Sequence, residues 1–482
     1  MKSPHNPFLP SGRLQVGCNY WASHAGAFMW RDWRPDVVAA DFVQLAGAGL
    51  TTVRVFALWS DFQPLEQTSG YLGEIKDYRH GEGLLPDTAA GRAGMDECML
   101  QRFRLMADEA LKNGVQLIAG LITGWMSGRL FTPHAFTNLN VLTDPEVLRW
   151  QMRFARCFVE TLRDHPAIVA WDLGNECNCM AAATAAESWI WTSVIATAIR
   201  AVDPDRPIVS GMHSLEADPR KAWSMAGQGE LTDFLTTHPY PPYTRFCDHE
   251  AISTLRPQLH ATIESLYYAG VGGKPCFAEE MGSMGSTLGS DEIVVSFVRP
   301  SLYSLWAHDC RAMLWWCAYD IVDPTRAPYD SAVNERELGL FRTDRSAKPV
   351  LHAIADFKRV VNKLPIATLP PRIIDATCLL TQGQDQWAAA QSAFILAKLA
   401  GADVAFHWFG DPLPESPIYL LPGLCVSNAL SHLRWEALLA RIKTGATLYI
   451  SIDDAALVEI IDAVPHPFHE MGFHCLCGKF ES

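Results

Sequence analysis

The chain has 482 residues, a net charge of −14 and 49% hydrophobic residues. That apolar content excludes a disordered chain, and the length allows roughly two to four domains, or one large α/β barrel with a smaller companion. The acidic balance and the lack of any Lys/Arg run exclude nucleic acid and anionic membrane surfaces as expected partners. Apolar runs such as Val115–Ile122 are far short of the roughly 20 residues of a membrane-spanning helix, and Met1–Pro10 lacks the apolar core of a secretory signal. Thirteen scattered cysteines, many in apolar runs (Cys157, Cys276, Cys310, Cys317), read as reduced, buried thiols of a cytoplasmic protein. The C-x-C pairs Cys177/Cys179 and Cys475/Cys477 do not have the spacing of a zinc site, so no metal is expected.

Short apolar strands and longer amphipathic helices alternate from residue 14 to about 365. Leu14–Tyr20 reads as a strand, Asp36–Ala48 as a helix and Thr51–Phe56 as a β-branched strand. A helix over Glu97–Asn113 stops at Gly114, and a nearly continuous apolar strand follows over Val115–Leu121. Helix Pro145–Arg163 precedes strand Ala167–Leu173, and helix Thr184–Val202 precedes strand Pro207–Ser210. Strand Phe234–His238, helix Ile252–Ala269, strand Pro275–Glu279, helix Ile293–Ala307, strand Ala312–Cys317 and a closing helix Pro349–Val361 complete the series. Near-continuous apolar strands between helices mark a buried parallel sheet, and eight such units fit a (β/α)8 TIM barrel over residues 1–363. A doubly wound sheet would need a Gly-rich turn after the first strand, and Gly17-Cys-Asn-Tyr-Trp21 is not one. Residues 364–372 are Pro-rich and read as a linker. Further units follow: helix Gln384–Ala400, strands Asp403–Trp408 and Ile418–Leu421, helix Leu430–Lys443 and strand Thr447–Ile452. They predict a small α/β, flavodoxin-like domain over 373–482, and the tail His466–Ser482 carries no pattern.

The site of such a barrel lies at the C-terminal ends of its strands. The fourth strand ends in Trp171-Asp-Leu-Gly-Asn-Glu176 and the seventh in Pro275-Cys-Phe-Ala-Glu-Glu280-Met-Gly282. Carboxylates at opposed strand ends suit glycosidic cleavage, one donating a proton to the leaving oxygen and the other attacking the anomeric carbon. Neighbours on a strand point to opposite faces, so only Glu279 or Glu280 is expected to face the axis, and periodicity does not choose between them. Asn175 beside Glu176 suits either a bond to a sugar hydroxyl or a helix cap. Arg54, inside Val53-Arg-Val-Phe56, needs a buried partner, which is either a catalytic carboxylate or a structural one. His238 and Tyr240 end the sixth strand and can orient a nucleophile, although a core histidine is also expected at such a place. Trp125 after the third strand and Trp315-Trp316 after the eighth offer faces for sugar rings, with Trp316 chosen for the axis.

Together these segments resemble glycoside hydrolase clan A, and within it family 5. The motifs are Trp171-Asp-Leu-Gly-Asn-Glu176, His238-Pro-Tyr240, Phe277-Ala-Glu-Glu-Met-Gly282 and Leu314-Trp-Trp-Cys-Ala-Tyr-Asp320. The opening, with Asn19-Tyr-Trp21, Met29-Trp-Arg-Asp-Trp33 and Val53-Arg-Val-Phe-Ala-Leu-Trp-Ser-Asp-Phe-Gln-Pro64, resembles the β-mannosidase branch, subfamily 18, associated with mannosyl-β-1,4-N-acetylglucosamine. The resemblance spans roughly residues 14–360. It implies Glu176 as acid/base and Glu280 as nucleophile, with Met281 where the family has Phe or Tyr, which leaves Glu279 as a rival. It places Arg54, Asn175, His238 and Tyr240 around the reacting sugar, and Trp316 or Trp315 as its platform. The C-terminal segment is similar in layout to the trimerisation domain of family 42 β-galactosidases, which implies a homotrimer.

The resulting expectation is a retaining exo-β-mannosidase of the cytoplasm, needing no metal or organic cofactor, with Glu176 raised in pKa by burial and by the nearby carboxylate. Rival readings are a β-glucosidase, a β-galactosidase or an endo-β-mannanase on the same barrel, and a non-catalytic carbohydrate-binding barrel.

Overall fold

The computed structural model describes residues 8–285, 288–424 and 430–452. The tail His466–Ser482 and the pair Cys475/Cys477 lie outside the described residues. The chain divides into two compact units, Met1–Arg372 and Ile373–Ser482.

The first unit holds eight parallel strands: Gln15–Tyr20, Thr52–Leu58, Gln116–Thr123, Ile168–Asp172, Ile208–Val209, Leu235–Thr237, Cys276–Met281 and Ala312–Trp315. Numbered along the chain, they lie in the order 5-4-3-2-1-8-7-6. A parallel bridge between Val209 and Phe234 joins the two ends, so the sheet closes on itself as a TIM barrel. The strands are buried on both faces because helices cover the outside. Ile118, Ala170, Val209, Phe277 and Leu314 share one interior cluster with Leu9, which the N-terminal segment contributes.

The helices predicted from the spacing form in the structure, and several of them start at identifiable N-caps. Asp96 accepts from the amides of Cys98 and Met99 to start Glu97–Lys112. Asp144 does the same for Pro145–Leu162, with Pro145 at the first helical position. Thr184 and Glu187 close a reciprocal capping box on Ala185–Arg200.

The structure adds elements that the periodicity did not announce. Leu65–Ser69, Ile75–His80 and Gly83–Leu84 form a small antiparallel sheet in the loop after the second strand. Trp125–Met126 and Arg129–Leu130 pair as a short hairpin after the third strand. Helix Met225–Leu231 also lies outside the predicted elements. The Pro-rich stretch 364–372 falls within the first unit, where the Leu369 amide bonds the Gly12 carbonyl at 2.9 Å.

In the second unit four parallel strands, Ala376–Leu380, Val404–Trp408, Ile418–Leu424 and Thr447–Ile452, lie in the order 2-1-3-4. That is the order of a flavodoxin-like sheet. Helices Gln386–Leu399 and His432–Lys443 occur at the predicted places, whereas the first strand, Ala376–Leu380, was not predicted.

Candidate active site

The seventh strand brings both of its glutamates to the barrel interior. Its pairing with the eighth strand shifts register between Ala278 and Met281. The strict alternation expected of a strand therefore breaks at the two acids. Glu280 and Glu279 both contact Arg54, at 2.8 and 3.2 Å. The expectation that only one of them faces the axis is thus corrected by a bulge, which side-chain types alone do not encode.

Arg54 on the second strand is fully buried and sits at the centre of this cluster. Its Nε donates to Asp172 Oδ2 (2.7 Å), and its Nη1 donates to Glu280 Oε1 (2.8 Å) and Asn175 Oδ1 (3.0 Å). Arg54 thus has the buried carboxylate partners that its burial demands. Asp172 anchors one edge of the guanidinium, and Glu280 takes the other. Asn175 is 3% exposed, accepts from Arg54 and gives an N–H to the Trp125 carbonyl at 3.1 Å. It caps no helix, since the residue before the 3-10 turn Cys177–Cys179 is Glu176.

Glu176 has left-handed backbone (φ 45°, ψ 45°), a conformation uncommon for a residue with a side chain and frequent at functional positions. Two glycines allow the chain to reach it. A Cβ on Gly174 would lie 2.2 Å from the Ile122 carbonyl, and one on Gly211 would lie 2.0 Å from the Gly174 carbonyl. His238 Nδ1 lies 2.6 Å from Glu176 Oε1 and 3.5 Å from Glu280 Oε2. Trp125 Nε1 donates to Glu176 Oε2 (3.1 Å), and the Tyr240 hydroxyl donates to Glu280 Oε2 (3.0 Å). Carboxylate oxygens of Glu176 and Glu280 lie within 4.8 Å of each other and of a His238 nitrogen.

The charges do not follow the expected polarity. Burial pushes Glu176 up, but His213, His238 and Arg54 outweigh it and hold its carboxyl below the usual range. Burial raises Glu280, aided by the Glu176 charge, against the pull of His238 and Arg54. Burial alone would neutralise His238, yet Glu280, Glu176 and Glu279 push it up to about 10. The expectation of a raised Glu176 is thus corrected. The two shifts run in the same sense, favouring a cationic His238 beside an ionised Glu176 across the 2.6 Å contact.

Trp315 is 1% exposed and donates to the Leu338 carbonyl, whereas Trp316 Nε1 donates to Glu335 Oε2 at 3.2 Å. Glu335 also accepts from Ser127 Oγ at 2.9 Å, and its carboxyl is raised by burial and by the charge on Glu176. Arg129 Nη1 donates to the Ala327 carbonyl at 2.6 Å. The hairpin after the third strand and the loop after the eighth are thereby joined. Of the residues at this site, sequence reasoning missed Asp172, His213, Ser127 and Glu335. Asp172 had a signal, since a buried arginine needs a partner at a neighbouring strand end. Glu335 had none, because its loop follows no period.

The cellulase profile of glycosyl hydrolase family 5 matches residues 20–319. The chain belongs to glycosyl hydrolase family 5. That family is one of glycosyl hydrolases. Among solved structures, the exo-beta-1,4-mannosidase Op5Man5 from Opitutaceae bacterium strain TAV5 is 22% identical, with 94% of this chain and 79% of that one covered and a TM-score of 0.74. A GH5_18 variant from Streptomyces cattleya, in complex with Manb1-4GlcNAc, is 20% identical over 82% of this chain and 94% of that one, with a TM-score of 0.68. These likenesses establish the shared fold. A mannan endo-1,4-beta-mannosidase F from Aspergillus fumigatus is 24% identical over 148 residues, which cover 30% of this chain. The chain matches only about a third of the length of that relative (31%).

Proposed function

We propose that this family 5 enzyme is a retaining exo-β-mannosidase that releases mannose from mannosyl-β-1,4-N-acetylglucosamine or related small β-mannosides, as in N-glycan degradation. The observation that carries the retaining mechanism is the approach of Glu176 and Glu280 oxygens to within 4.8 Å. Retaining pairs stand about 5–5.5 Å apart, whereas an inverting pair needs about 6.5–9.5 Å to admit a water. The β-mannoside reading rests on the opening motifs and on the similar exo-beta-1,4-mannosidase Op5Man5 and the Streptomyces cattleya GH5_18 protein solved with Manb1-4GlcNAc. The links of Ser127 to Glu335 and of Arg129 to Ala327 join two loops that follow barrel strands, which supports exo action, since a polymer needs a cleft open at both ends.

In this reading Glu280 attacks the anomeric carbon. Arg54 and Tyr240 each hold one of its oxygens, which fixes the plane of the carboxylate before attack. Glu176 passes the proton stored on His238 to the leaving oxygen, so the pair ends as neutral imidazole and carboxylate. In the second half Glu176 takes a proton from water, the water oxygen bonds the anomeric carbon, and Glu280 leaves as carboxylate. Trp316 and Trp125 flank the sugar, with Asn175 holding the Arg54 cluster in register.

Removing the His238 cation raises both carboxyl groups. Because Glu280 must be ionised to attack, His238→Asn is expected to move the acidic limb of kcat/KM to higher pH and to lower kcat by about 10²–10⁴-fold. An acidic limb in the wild-type position, read from the pH profile, would contradict the assignment.

No helix among the described residues is long and apolar enough to cross a membrane. Ten cysteines among the described residues are free thiols, which supports a reducing, cytoplasmic setting. Exposed Leu396, Leu399 and Leu433 on the second unit support its role in a trimer, to be read by light scattering after gel filtration. Substrate choice is decided by a product assay on mannosyl-β-1,4-N-acetylglucosamine, cellobiose, lactose and β-mannan. Mannose released from the first alone is the expected result, and faster cleavage of any other overturns the mannosidase reading.

A further inference from the structure

Glu176 has a second neighbourhood, outside the groups used in the reaction. The turn Cys177–Cys179 carries Cys179 to its solvent side, and Cys179 Sγ lies 3.1 Å from His213 Nε2. Ser214 Oγ sits 3.0 Å from the other ring nitrogen of His213. With Nδ1–H donating to that hydroxyl, the Nε2 lone pair faces the thiol. The donor atoms of Cys179, His213 and Glu176 lie within 4.8 Å of one another. Cys177 takes no part, since its Sγ donates to the Ile122 carbonyl at 3.2 Å. The C-x-C pair is therefore split, and its spacing carried no information about this cluster.

We propose that Cys179, His213 and Glu176 form a binding site for a borderline divalent cation, zinc above all, and that occupancy inhibits the enzyme by taking Glu176 out of proton transfer. Thiolate, imidazole and carboxylate are the donor set of such a cation. A tetrahedral zinc with ordinary bond lengths sets sulfur and nitrogen about 3.5 Å apart, so the observed 3.1 Å opens only by a few tenths of an ångström when metal replaces the thiol proton. That proton leaves to solvent. The side chains of His213 and Glu176 keep 26% and 16% exposure, so ion entry and a water in the fourth position need no rearrangement of the barrel. Metal binding needs nothing from the mannosidase reading, whereas the inhibition rests on Glu176 as acid/base.

The test uses the full chain with zinc and, as a spectroscopic probe, cobalt. Zinc is expected to inhibit glycoside turnover, a chelator to restore it, and cobalt to give a thiolate charge-transfer band in the near ultraviolet. Cys179→Ala is expected to retain metal-free activity, lose the band and raise the zinc inhibition midpoint at least about tenfold, the smaller end of what loss of even a supporting contact costs a metal site. Cys179→Ser serves if the alanine variant fails to fold. A wild type without the band, or a variant as sensitive to zinc as the wild type, overturns the site; the latter would place the ion on Glu176, His238 and Glu280 instead. If the metal-free protein turns over no glycoside, the proposed function fails and the cobalt band alone decides the site.

Discussion

Glu280→Ala is expected to lower turnover by about 10⁴-fold or more, the scale on which removal of a covalent nucleophile acts. The variant leaves a space bordered by Arg54 and Tyr240, the groups that held the lost carboxylate. Azide entering that space attacks the anomeric carbon in place of Glu280, and the product is the glycosyl azide of inverted configuration. Glu176→Ala behaves differently if the roles are as assigned. With a good leaving group the first step needs no acid, the glycosyl ester on Glu280 accumulates, and azide opens it with retained configuration. The two variants thus report opposite stereochemistry with the same reagent, read by the anomeric proton in NMR. Azide products of the same configuration from both, or near-normal activity of Glu280→Ala, would reject the assignment. Glu279 supplies a control. It is fully buried, 3.2 Å from Arg54 and 3.5 Å from His238, and on this reading holds those two cations without touching sugar. Azide should restore nothing to Glu279→Ala.

Most of the barrel is legible in the sequence because its helices and strands obey different periods. Pro145–Leu162 carries apolar residues at helical spacing behind an Asp-Pro start. Gln116–Thr123 has no polar alternation, and it pairs on both sides in a parallel sheet. What was missed lacked those signals. Leu65–Ser69 is polar and only partly buried, so it looks like loop until its partner Ile75–His80 is placed beside it. Ala376–Leu380 is five residues long and abuts the Pro-rich stretch, yet it lies inside its sheet, between two partners. At the site, strand ends pointed to Glu176, His238, Tyr240 and the Glu279–Glu280 pair, a buried arginine inside a strand pointed to Arg54, and the choice of Glu280 came only from the family resemblance. The charge pattern was not legible. Whether Glu176 is raised or lowered depends on His213 and His238 standing against it, and His213 lies in a loop without any periodic signal that would single it out. Glu335 reaches the mouth in the same way, through tertiary contacts alone.

Arg54→Met tests the other half of the site, its internal charge balance. The guanidinium faces Asp172, Glu279 and Glu280, all with side chains at most 5% exposed. Removing one partner of a buried ionic cluster costs about 3–5 kcal/mol, because the charges left behind have lost their compensation. The loss is expected to depend on pH in a definite direction. Asp172 already stands above its ordinary value of 3.8, pushed up to about 7 by burial against the pull of Arg54, and Glu280 is raised for the same reasons. Without the cation both rise further, so the folded variant holds protons that its unfolded chain releases. Its stability is then greatest below the ordinary carboxyl range and falls as pH climbs through the raised values. Thermal unfolding of variant and wild type should diverge above pH 7 and converge near pH 4. A gap that stays constant across that range would mean that Arg54 acts through packing, its guanidinium lying 4.7 Å from the centre of the Phe56 ring, and that the carboxylates are compensated by other groups.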